Sequence, residues 1–172
     1  MLKQQVSITF KEFLRLMFKL TYSKPTMIVI LIVDLLMICW ITLSLNHLQG
    51  IPPVTFFQFS TVVLITVIQP SFIYITIRGV YRSSTHLTEK MDIEFTPSQV
   101  RVTGESFYTE HAWSNMFKVI EWERWFLLYQ NSLSAILINK KYFSPKEIEE
   151  LSILLKAIPE LKVRLKKKNV VE

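Results

Sequence analysis

The chain has 172 residues, half of them hydrophobic, with a formal net charge of +6 and a mean hydropathy of +0.29. Such a high mean hydropathy is unusual for a soluble domain and indicates that apolar residues are concentrated in particular segments. The one cysteine, Cys39, lies inside such a segment, which excludes a disulfide framework and disfavours a Cys/His zinc site. The basic residues flank apolar segments instead of alternating with aromatic ones, which favours a membrane surface over nucleic acid as the anionic partner.

Residues 1–24 are predicted to form a cytoplasmic N-terminal segment. Val6 to Ile8 favour a short strand, and Thr9 with Glu12 has the spacing of a capping box that begins a helix. Apolar residues then recur at helical spacing with cations on the other faces, which is not the pattern of a cleavable signal peptide. We expect this amphipathic helix to lie in the membrane interface or to pack on a cytoplasmic domain.

Residues 25–80 are predicted to form a transmembrane hairpin. Met27–Leu45 and Phe57–Ile77 are each about 20 residues long, enough for a helix to cross a hydrocarbon core of about 30 Å. The link between them contains one glycine and two prolines, which suit a turn. Two helices buried inside a soluble protein are the alternative interpretation.

The distribution of cations predicts the orientation of this hairpin. Basic residues precede the first span and follow the second, whereas the link has no Lys or Arg; the flanking cations are Lys3, Lys11, Arg15, Lys19, Lys24, Arg78 and Arg82. Because cytoplasmic flanks are enriched in Lys and Arg, we expect both termini in the cytoplasm. The chain is thus predicted to be a multi-pass protein of the plasma membrane, a bacterial inner membrane.

Asp34 and Gln69 are predicted to lie at similar depth on the two spans and to form an intramembrane polar contact. An ionised carboxylate near the bilayer centre costs about 3 kcal/mol, so Asp34 should face a protein neighbour or be protonated. A hydrogen bond to Gln69 or Thr66 that fixes the hairpin is the simpler hypothesis. The others are an ion or proton site and a contact with a partner helix. Pro70 is expected to kink the second helix.

Residues 81–160 show the period of two that is typical of strands. The first predicted strand carries Leu87, Met91, Ile93 and Phe95 on one side, and a second ends near Gly104. Further strands are predicted over 107–113, 125–129 and 135–138, and residues 114–121 favour a turn that runs into a strand. Short consecutive strands indicate an antiparallel meander.

An amphipathic helix is predicted to close this sheet. Ser144 as N-cap, Pro145 at the first helical position and Glu147 three residues after the cap form a helix start. One apolar stripe follows, consisting of Ile148, Leu151, Leu154, Leu155 and Ile158, and Pro159 ends it. The predicted fold class is therefore an α+β membrane protein: a two-helix transmembrane hairpin plus a cytoplasmic antiparallel β-sheet closed by a C-terminal amphipathic helix.

Several of these segments together resemble the YcxB-like family. They are Phe95–Pro97, Trp113, Lys118–Val119 with Glu121, Phe126–Tyr129 and Ala135–Phe143 before the capped helix. The resemblance extends over nearly the whole chain, although Asn139 stands where the family often has proline. It implies a two-span membrane protein whose C-terminal domain is similar to a bacterial pleckstrin-homology-like (PH-like) domain, and it implies no activity and no functional residues.

The sequence shows no catalytic constellation, and we expect a protein that is not an enzyme and holds no cofactor or metal. His47, His86 and His111 are widely spaced and have no cysteine or histidine partner at ligand spacing. Three glycines cannot build a phosphate-binding loop. Glu121 and Glu123, on either side of Trp122, are interpreted as a solvated turn.

Two features are candidates for binding. The basic tail, residues 161–172, contains the candidate lipid contacts Lys162, Arg164, Lys166, Lys167 and Lys168, each able to contribute about 1 kcal/mol near an anionic leaflet. A solvated tail is the alternative. Trp122 is a candidate partner anchor, with core packing as the more ordinary interpretation.

The function predicted from these features is a membrane-anchored, non-enzymatic binding or scaffold module. Its PH-like domain would engage lipid or a protein at the inner leaflet, with a second copy of the chain as another partner. The alternatives are an immunity or resistance protein that protects the membrane against a toxin, and a small transport subunit. Both alternatives require Asp34 or Gln69.

Overall fold

The computed structural model describes residues 2–46, 50, 52–159 and 161–165. The chain divides into two compact units. One, the sheet unit, comprises Met1–Ile8 and Ser84–Glu172, and the other, the helical unit, is Thr9–Ser83. In the sequence, the helical unit is thus an insertion between the two segments of the sheet unit.

The first sheet of the sheet unit is antiparallel, with the strand order β1-β2-β3-β4. Its strands are Leu2–Val6 (β1), Met91–Phe95 (β2), Gln99–Thr103 (β3) and Tyr108–Ala112 (β4). Strand β1 pairs with β2 over its full length, from Leu2 opposite Phe95 to Val6 opposite Met91. Strand β1, which precedes the helical unit in the sequence, therefore pairs with a strand that follows this unit.

The position of β1 differs from the predicted strand at Val6 to Ile8. Val6 and Ile8 are both buried, so the apolar alternation is real. The strand nevertheless ends at Val6, because its partner β2 begins opposite that residue, at Met91. Local alternation cannot specify such an end, since it depends on a segment far along the chain.

The second sheet has the strand order β7-β6-β5-β8. Its strands are Lys118–Trp122 (β5), Trp125–Tyr129 (β6), Ala135–Asn139 (β7) and Val163–Arg164 (β8). The predicted strands at 125–129 and 135–138 are confirmed, and a short 3-10 turn at Trp113–Asn115 precedes β5. Consecutive strands pair antiparallel as predicted, but they form two sheets, and β8 adds to β5 in parallel.

The first predicted strand of this region is shorter than expected. Leu87 lies in a short helix, Thr85–Thr88 (α5), rather than on the strand that begins at Met91. The backbone there bonds locally, with the Leu87 N–H donating to the Ser84 carbonyl at 3.0 Å and the Glu89 N–H to Thr85 at 3.0 Å. The alternation of Leu87 with polar neighbours therefore does not indicate a strand at this position.

The C-terminal helix α6, Pro145–Ala157, begins as predicted. The Ser144 hydroxyl accepts from the Glu147 N–H at 3.3 Å, and the Glu147 carboxylate accepts from the Ser144 N–H at 2.7 Å. The same carboxylate also accepts from the Gln4 amide at 2.6 Å, which ties the start of α6 to β1. Leu151 and Leu155 are buried, as expected for the apolar stripe.

The helical unit contains three packed segments. They are α1 (Phe10–Tyr22), α2 (Pro25–Leu45) and a second apolar helix, Phe56–Ser83, which consists of α3 (Phe56–Val63), a π-helical turn (Leu64–Ile68) and α4 (Gln69–Ser83). The predicted capping box of Thr9 and Glu12 begins α1. Directly before Gln69 and Pro70 the helix contains the π turn, in which the Gln69 N–H donates to the Leu64 carbonyl five residues earlier; the predicted kink at Pro70 stays a prediction.

The second apolar helix extends beyond the span predicted over 57–77. It continues to Ser83, and this extension packs on α1, with the Phe10 and Tyr81 rings 5.3 Å apart and the Phe13 and Tyr81 rings 5.7 Å apart. Phe13 and Leu16 are correspondingly buried. The amphipathic N-terminal helix thus belongs to the helical unit.

Candidate functional site

Two helices, Pro25–Leu45 and Phe56–Ser83, are long and apolar enough to cross a membrane. Only 6% of the most apolar window of each is buried, which argues against core helices of a soluble protein. Hydroxyl groups along them donate to backbone carbonyls of the preceding turn, for example Thr42 to Ile38 at 2.7 Å and Ser71 to Val67 at 2.7 Å. Polar side chains satisfied in this way suit helices in apolar surroundings.

Asp34 differs from the mostly exposed residues around it on α2, because its side chain is only 4% exposed. Its Oδ1 atom has no hydrogen-bond partner among the described residues, and neither has Oε1 of Gln69. The Gln69 amide lies 3.2 Å from the Met27 sulfur, and the Thr66 hydroxyl donates to the Val62 carbonyl. Gln69 therefore lies level with Met27, two helical turns before Asp34, and Asp34 faces the interior of the hairpin.

An apolar groove of about 320 Å³ lies on the helical unit. It is lined by one stripe of α2, Val33, Leu36, Met37 and Trp40, together with Gln58 from the start of the second apolar helix. Gln58 already serves its own helix, since its Oε1 accepts from the Thr55 N–H at 2.9 Å. Because Gln69 contacts Met27 while Gln58 lines the same groove as Trp40, the two helices are antiparallel.

Trp122 ends β5 opposite Trp125 at the start of β6. Its side chain is half-buried, and its indole N–H is buried without a hydrogen-bond partner among the described residues. Trp113, in contrast, is 2% exposed and donates to the Thr96 carbonyl at 2.9 Å. Trp122 thus combines an unused donor with partial exposure.

Glu121 does not lie on a solvated turn. Its carboxylate pairs with the Lys140 ammonium group, and both side chains are nearly buried, at 12% and 13% exposure. Lys140 also donates to the Glu123 carbonyl at 3.0 Å and lies 4.8 Å from the centre of the Phe126 ring. The pair thus connects strand β5, next to the β5–β6 turn, with the residue that follows β7. Within that turn, exposed Glu123 has a φ of 47°.

The first part of the basic tail is a strand. Lys162 and Arg164 are exposed, while Val163 between them is half-buried and lies opposite Val119. The Val119 N–H donates to the Lys162 carbonyl at 2.9 Å. Lys166, Lys167 and Lys168 lie outside the described residues, so the five predicted lipid contacts are not seen as one surface.

The two histidines within the described residues have separate surroundings, while His47 lies outside them. The His86 ring contacts the Phe107 ring, with centres 3.9 Å apart, and His111 Nε2 lies 2.7 Å from the Gln130 amide. Within the described ranges no cluster of three His, Cys, Asp or Glu side chains could hold a metal ion.

Three carboxylates of the sheet unit that are at least partly exposed are stabilised in their ionised form. The Ser106 hydroxyl and N–H hold the pKa of Glu89 below its ordinary value, and the Ser144 N–H and hydroxyl do the same for the pKa of Glu147. On β3 and β4 the Arg101 guanidinium lowers the pKa of Glu110, which lies 2.8 Å away. These groups form structural contacts on the surface rather than an acid–base pair in a cleft.

Residues 95–154 match the family model of YcxB-like proteins. The match confirms the family resemblance seen in the sequence. The YcxB-like segment runs from the end of β2 into α6, so it covers most of the sheet unit and none of the helical unit, a narrower range than the resemblance implied. The chain has no match among curated proteins or among solved structures.

Proposed function

We propose that the protein is a membrane-anchored, non-enzymatic binding module. In this proposal the helical unit crosses the bilayer as a hairpin, and the sheet unit is a PH-like domain that engages a partner at the cytoplasmic face. The pairing of β1 with β2 is the observation that carries the proposal. Both strands of a sheet must occupy one compartment, so the chain between Val6 and Met91 crosses the bilayer an even number of times.

The surface of the two apolar helices supports insertion. Large apolar side chains point outward along both helices, including Leu35 at 66%, Leu36 at 64% and Phe72 at 69% exposure. In water this surface would be far larger than the apolar patches found on soluble monomers. The cations at Lys24, Arg78 and Arg82 favour the cytoplasm for the side from which the hairpin starts and ends.

The PH-like assignment is supported by the order of elements. Four antiparallel strands are followed by a three-stranded meander and then by the amphipathic helix α6. This order agrees with what the YcxB-like resemblance implies.

Trp122 is the proposed partner anchor on this domain. Strand β5 continues through Glu121 and Trp122, beyond the two residues that pair with β8. The half-buried ring at this end leaves part of its aromatic surface exposed for a partner to cover. Tryptophan residues of this kind often dominate the energy of protein interfaces.

The test of this function is capture of a partner by the sheet unit without its spans. A fragment that begins at Arg82 lacks β1, so the suitable bait joins Ile8 to Ser84 through a flexible linker in place of the helical unit. We expect the same partner to be retained by this bait and by the full chain in detergent, and to be lost from both on Trp122→Ala. Trp122→Phe keeps an aromatic ring of smaller area and should therefore bind more weakly than the wild type but more tightly than Trp122→Ala.

Topology has its own test. A reporter placed in the link after Asn46 should be found outside the cytoplasm, and reporters at both termini should be found inside. A cytoplasmic link would contradict the hairpin. Purified protein that stays soluble without detergent would contradict the membrane anchor altogether.

The burial of Asp34 argues against the immunity alternative. A toxin or a partner helix would have to reach a carboxylate that is only 4% exposed inside the hairpin. We expect Asp34→Asn to leave insertion and partner capture unchanged. Loss of function with normal insertion would favour the alternatives instead.

A further inference from the structure

The position of α1 is fixed at both of its ends. Its C-terminus leads through Ser23 and Lys24 directly into α2, and its N-terminal residue Phe10 contacts Tyr74 and Tyr81 of α4, with ring centres 6.1 and 5.3 Å apart. These contacts lie on either side of the level at which the second apolar segment gives way to Arg78. If the hairpin spans the bilayer, α1 therefore lies at the boundary between hydrocarbon and headgroups.

Two faces of α1 have opposite character. Phe13 and Leu16 are buried within the helical unit, at 3% and 2% exposure. Lys11, Arg15 and Lys19 are all exposed and recur at intervals of four residues, which places them along one stripe of the helix. We call these three residues the α1 stripe.

The charge of this end of the helical unit is strongly one-sided. The α1 stripe adds to the cations Lys24, Arg78 and Arg82, whereas the one carboxylate within residues 9–24 and 69–83 is that of Glu12, which is used in the capping box of α1. The link at the other end, between Asn46 and Thr55, carries no Lys, Arg, Asp or Glu. An anionic surface is therefore favoured at one end alone.

We propose that the α1 stripe binds the headgroups of anionic phospholipids in the cytoplasmic leaflet. This inference rests on the membrane insertion proposed above and moves the lipid contact away from the basic tail. Long cationic side chains on an interfacial helix keep their charges at headgroup level while their aliphatic stems cover apolar surface. Lys162 and Arg164 instead lie at β8, where they are held on the sheet unit.

The test uses the full chain in nanodiscs that contain phosphatidylcholine and phosphatidylglycerol in equal amounts. Electron paramagnetic resonance of spin-labelled lipids gives the preference of the protein for one lipid over the other. The wild type should prefer phosphatidylglycerol, and the triple variant Lys11→Gln, Arg15→Gln, Lys19→Gln should lose about fivefold or more of that preference. Fivefold corresponds to about 1 kcal/mol, which is the contribution of one cation near an anionic surface. It is therefore the smallest loss expected when three cations are removed.

Two control variants carry comparable charge changes elsewhere. Lys90, Lys146 and Lys156 are exposed on the sheet unit, and their replacement by Gln should leave the preference unchanged. The double variant Lys162→Gln, Arg164→Gln tests the tail. A loss of preference in this double variant, with none in the α1 triple variant, would overturn the proposal in favour of the tail.

The lipid test and the insertion test fail in different ways. Protein that does not enter nanodiscs, or that needs no detergent, contradicts the membrane anchor and the lipid site together. Protein that inserts but prefers neither lipid contradicts the lipid site alone. High salt should weaken the wild-type preference, because an exposed ionic contact is screened.

Discussion

The sheet unit buries large apolar side chains, whereas the helical unit exposes many of them. In the sheet unit Ile93, Phe126 and Leu155 are fully buried. In the helical unit Phe57 is 75% exposed and Leu35 is 66% exposed, while the carboxylate of Asp34 is one of the groups that are buried. The sheet unit thus has an apolar core, whereas the helical unit exposes the apolar surface that the proposed membrane insertion requires.

The two units also differ in how they satisfy their backbones. The sheet unit depends on pairing between distant segments, above all β1 with β2. The helical unit depends on bonds within a few residues, and hydroxyl groups such as Thr76 donate to the carbonyl one turn earlier, here to Phe72 at 2.9 Å. A hairpin with such local bonding can be inserted between two paired strands without contributing to their sheet.

The largest difference between the units should appear on removing an aromatic side chain. Phe126→Ala leaves a cavity in the core of the sheet unit and should lower its free energy of unfolding by about 3–5 kcal/mol. Phe72→Ala removes a ring that is 69% exposed on the helical unit and should leave the sheet unit unchanged. Urea unfolding of the full chain in detergent, followed by tryptophan fluorescence, measures both changes.

Equal effects of the two substitutions would break this comparison. They would mean that Phe72 is covered by protein, as in a soluble fold. Phe126→Leu serves as the control, because it keeps most of the apolar volume and should cost less than Phe126→Ala.

Adding a charge to an exposed leucine should give the next largest difference. Leu35 is 66% exposed on α2, and Leu133 is 95% exposed at the β6–β7 turn. Leu35→Arg should disfavour insertion by about 2.5–3.5 kcal/mol if α2 lies in lipid, whereas Leu133→Arg should have little effect. The fraction of protein in the membrane after expression measures the change, and normal insertion of Leu35→Arg would count against a lipid-facing α2.

Local patterns predicted much of both units. The periods of the sequence correctly located α2, the strands β6 and β7, and the start of α6 at Ser144. These elements depend on hydropathy, alternation and capping, which act within a few residues. The YcxB-like segment, residues 95–154, was likewise recognised from its residues.

Features that depend on distant partners were not predicted. No local pattern indicates that β1 joins β2, that the strands divide into two sheets, or that Val163 pairs with Val119. The burial of Glu121 against Lys140 was missed for the same reason, since their contact joins β5 to the end of β7. A charged residue beside a turn looks solvated until its partner is known.

Removing a helix N-cap should produce a smaller difference between the two units in its effect on the stability of the sheet unit. Ser144→Ala removes the N-cap of α6 and should lower the stability of the sheet unit by about 1 kcal/mol. Thr9→Ala removes the equivalent cap of α1 and should leave that stability unchanged. Thermal unfolding of the sheet unit, with Ile8 joined to Ser84, measures the first effect, and the full chain measures the second.

The Ser144 comparison has an internal control. Ser144→Thr keeps a hydroxyl acceptor and should retain most of the stability. If Ser144→Thr costs as much as Ser144→Ala, the loss comes from packing at this position and not from the cap.

Acidification should produce the smallest difference. The pKa of Glu147 is held below its ordinary value chiefly by the Ser144 N–H, and that of Glu89 chiefly by the Ser106 hydroxyl. A carboxylate with a lowered pKa binds its proton less readily in the folded state, so its stabilisation is present above the ordinary pKa and is lost as pH falls through the lowered one. Because both groups are partly exposed, the effect is weakened by solvent.

The double variant Glu89→Gln, Glu147→Gln isolates this contribution. A glutamine side chain at the third helical position can still complete the capping box, so the fold should persist while two titrating groups are removed. The urea midpoint of the sheet unit should then fall less steeply between about pH 5 and pH 3 than that of the wild type. An unchanged slope would assign the acid sensitivity to other carboxylates, of which Glu110 beside Arg101 is the next to test because its pKa is also lowered. The two apolar helices carry no such surface carboxylate within their described residues, so they should not contribute to the acid response.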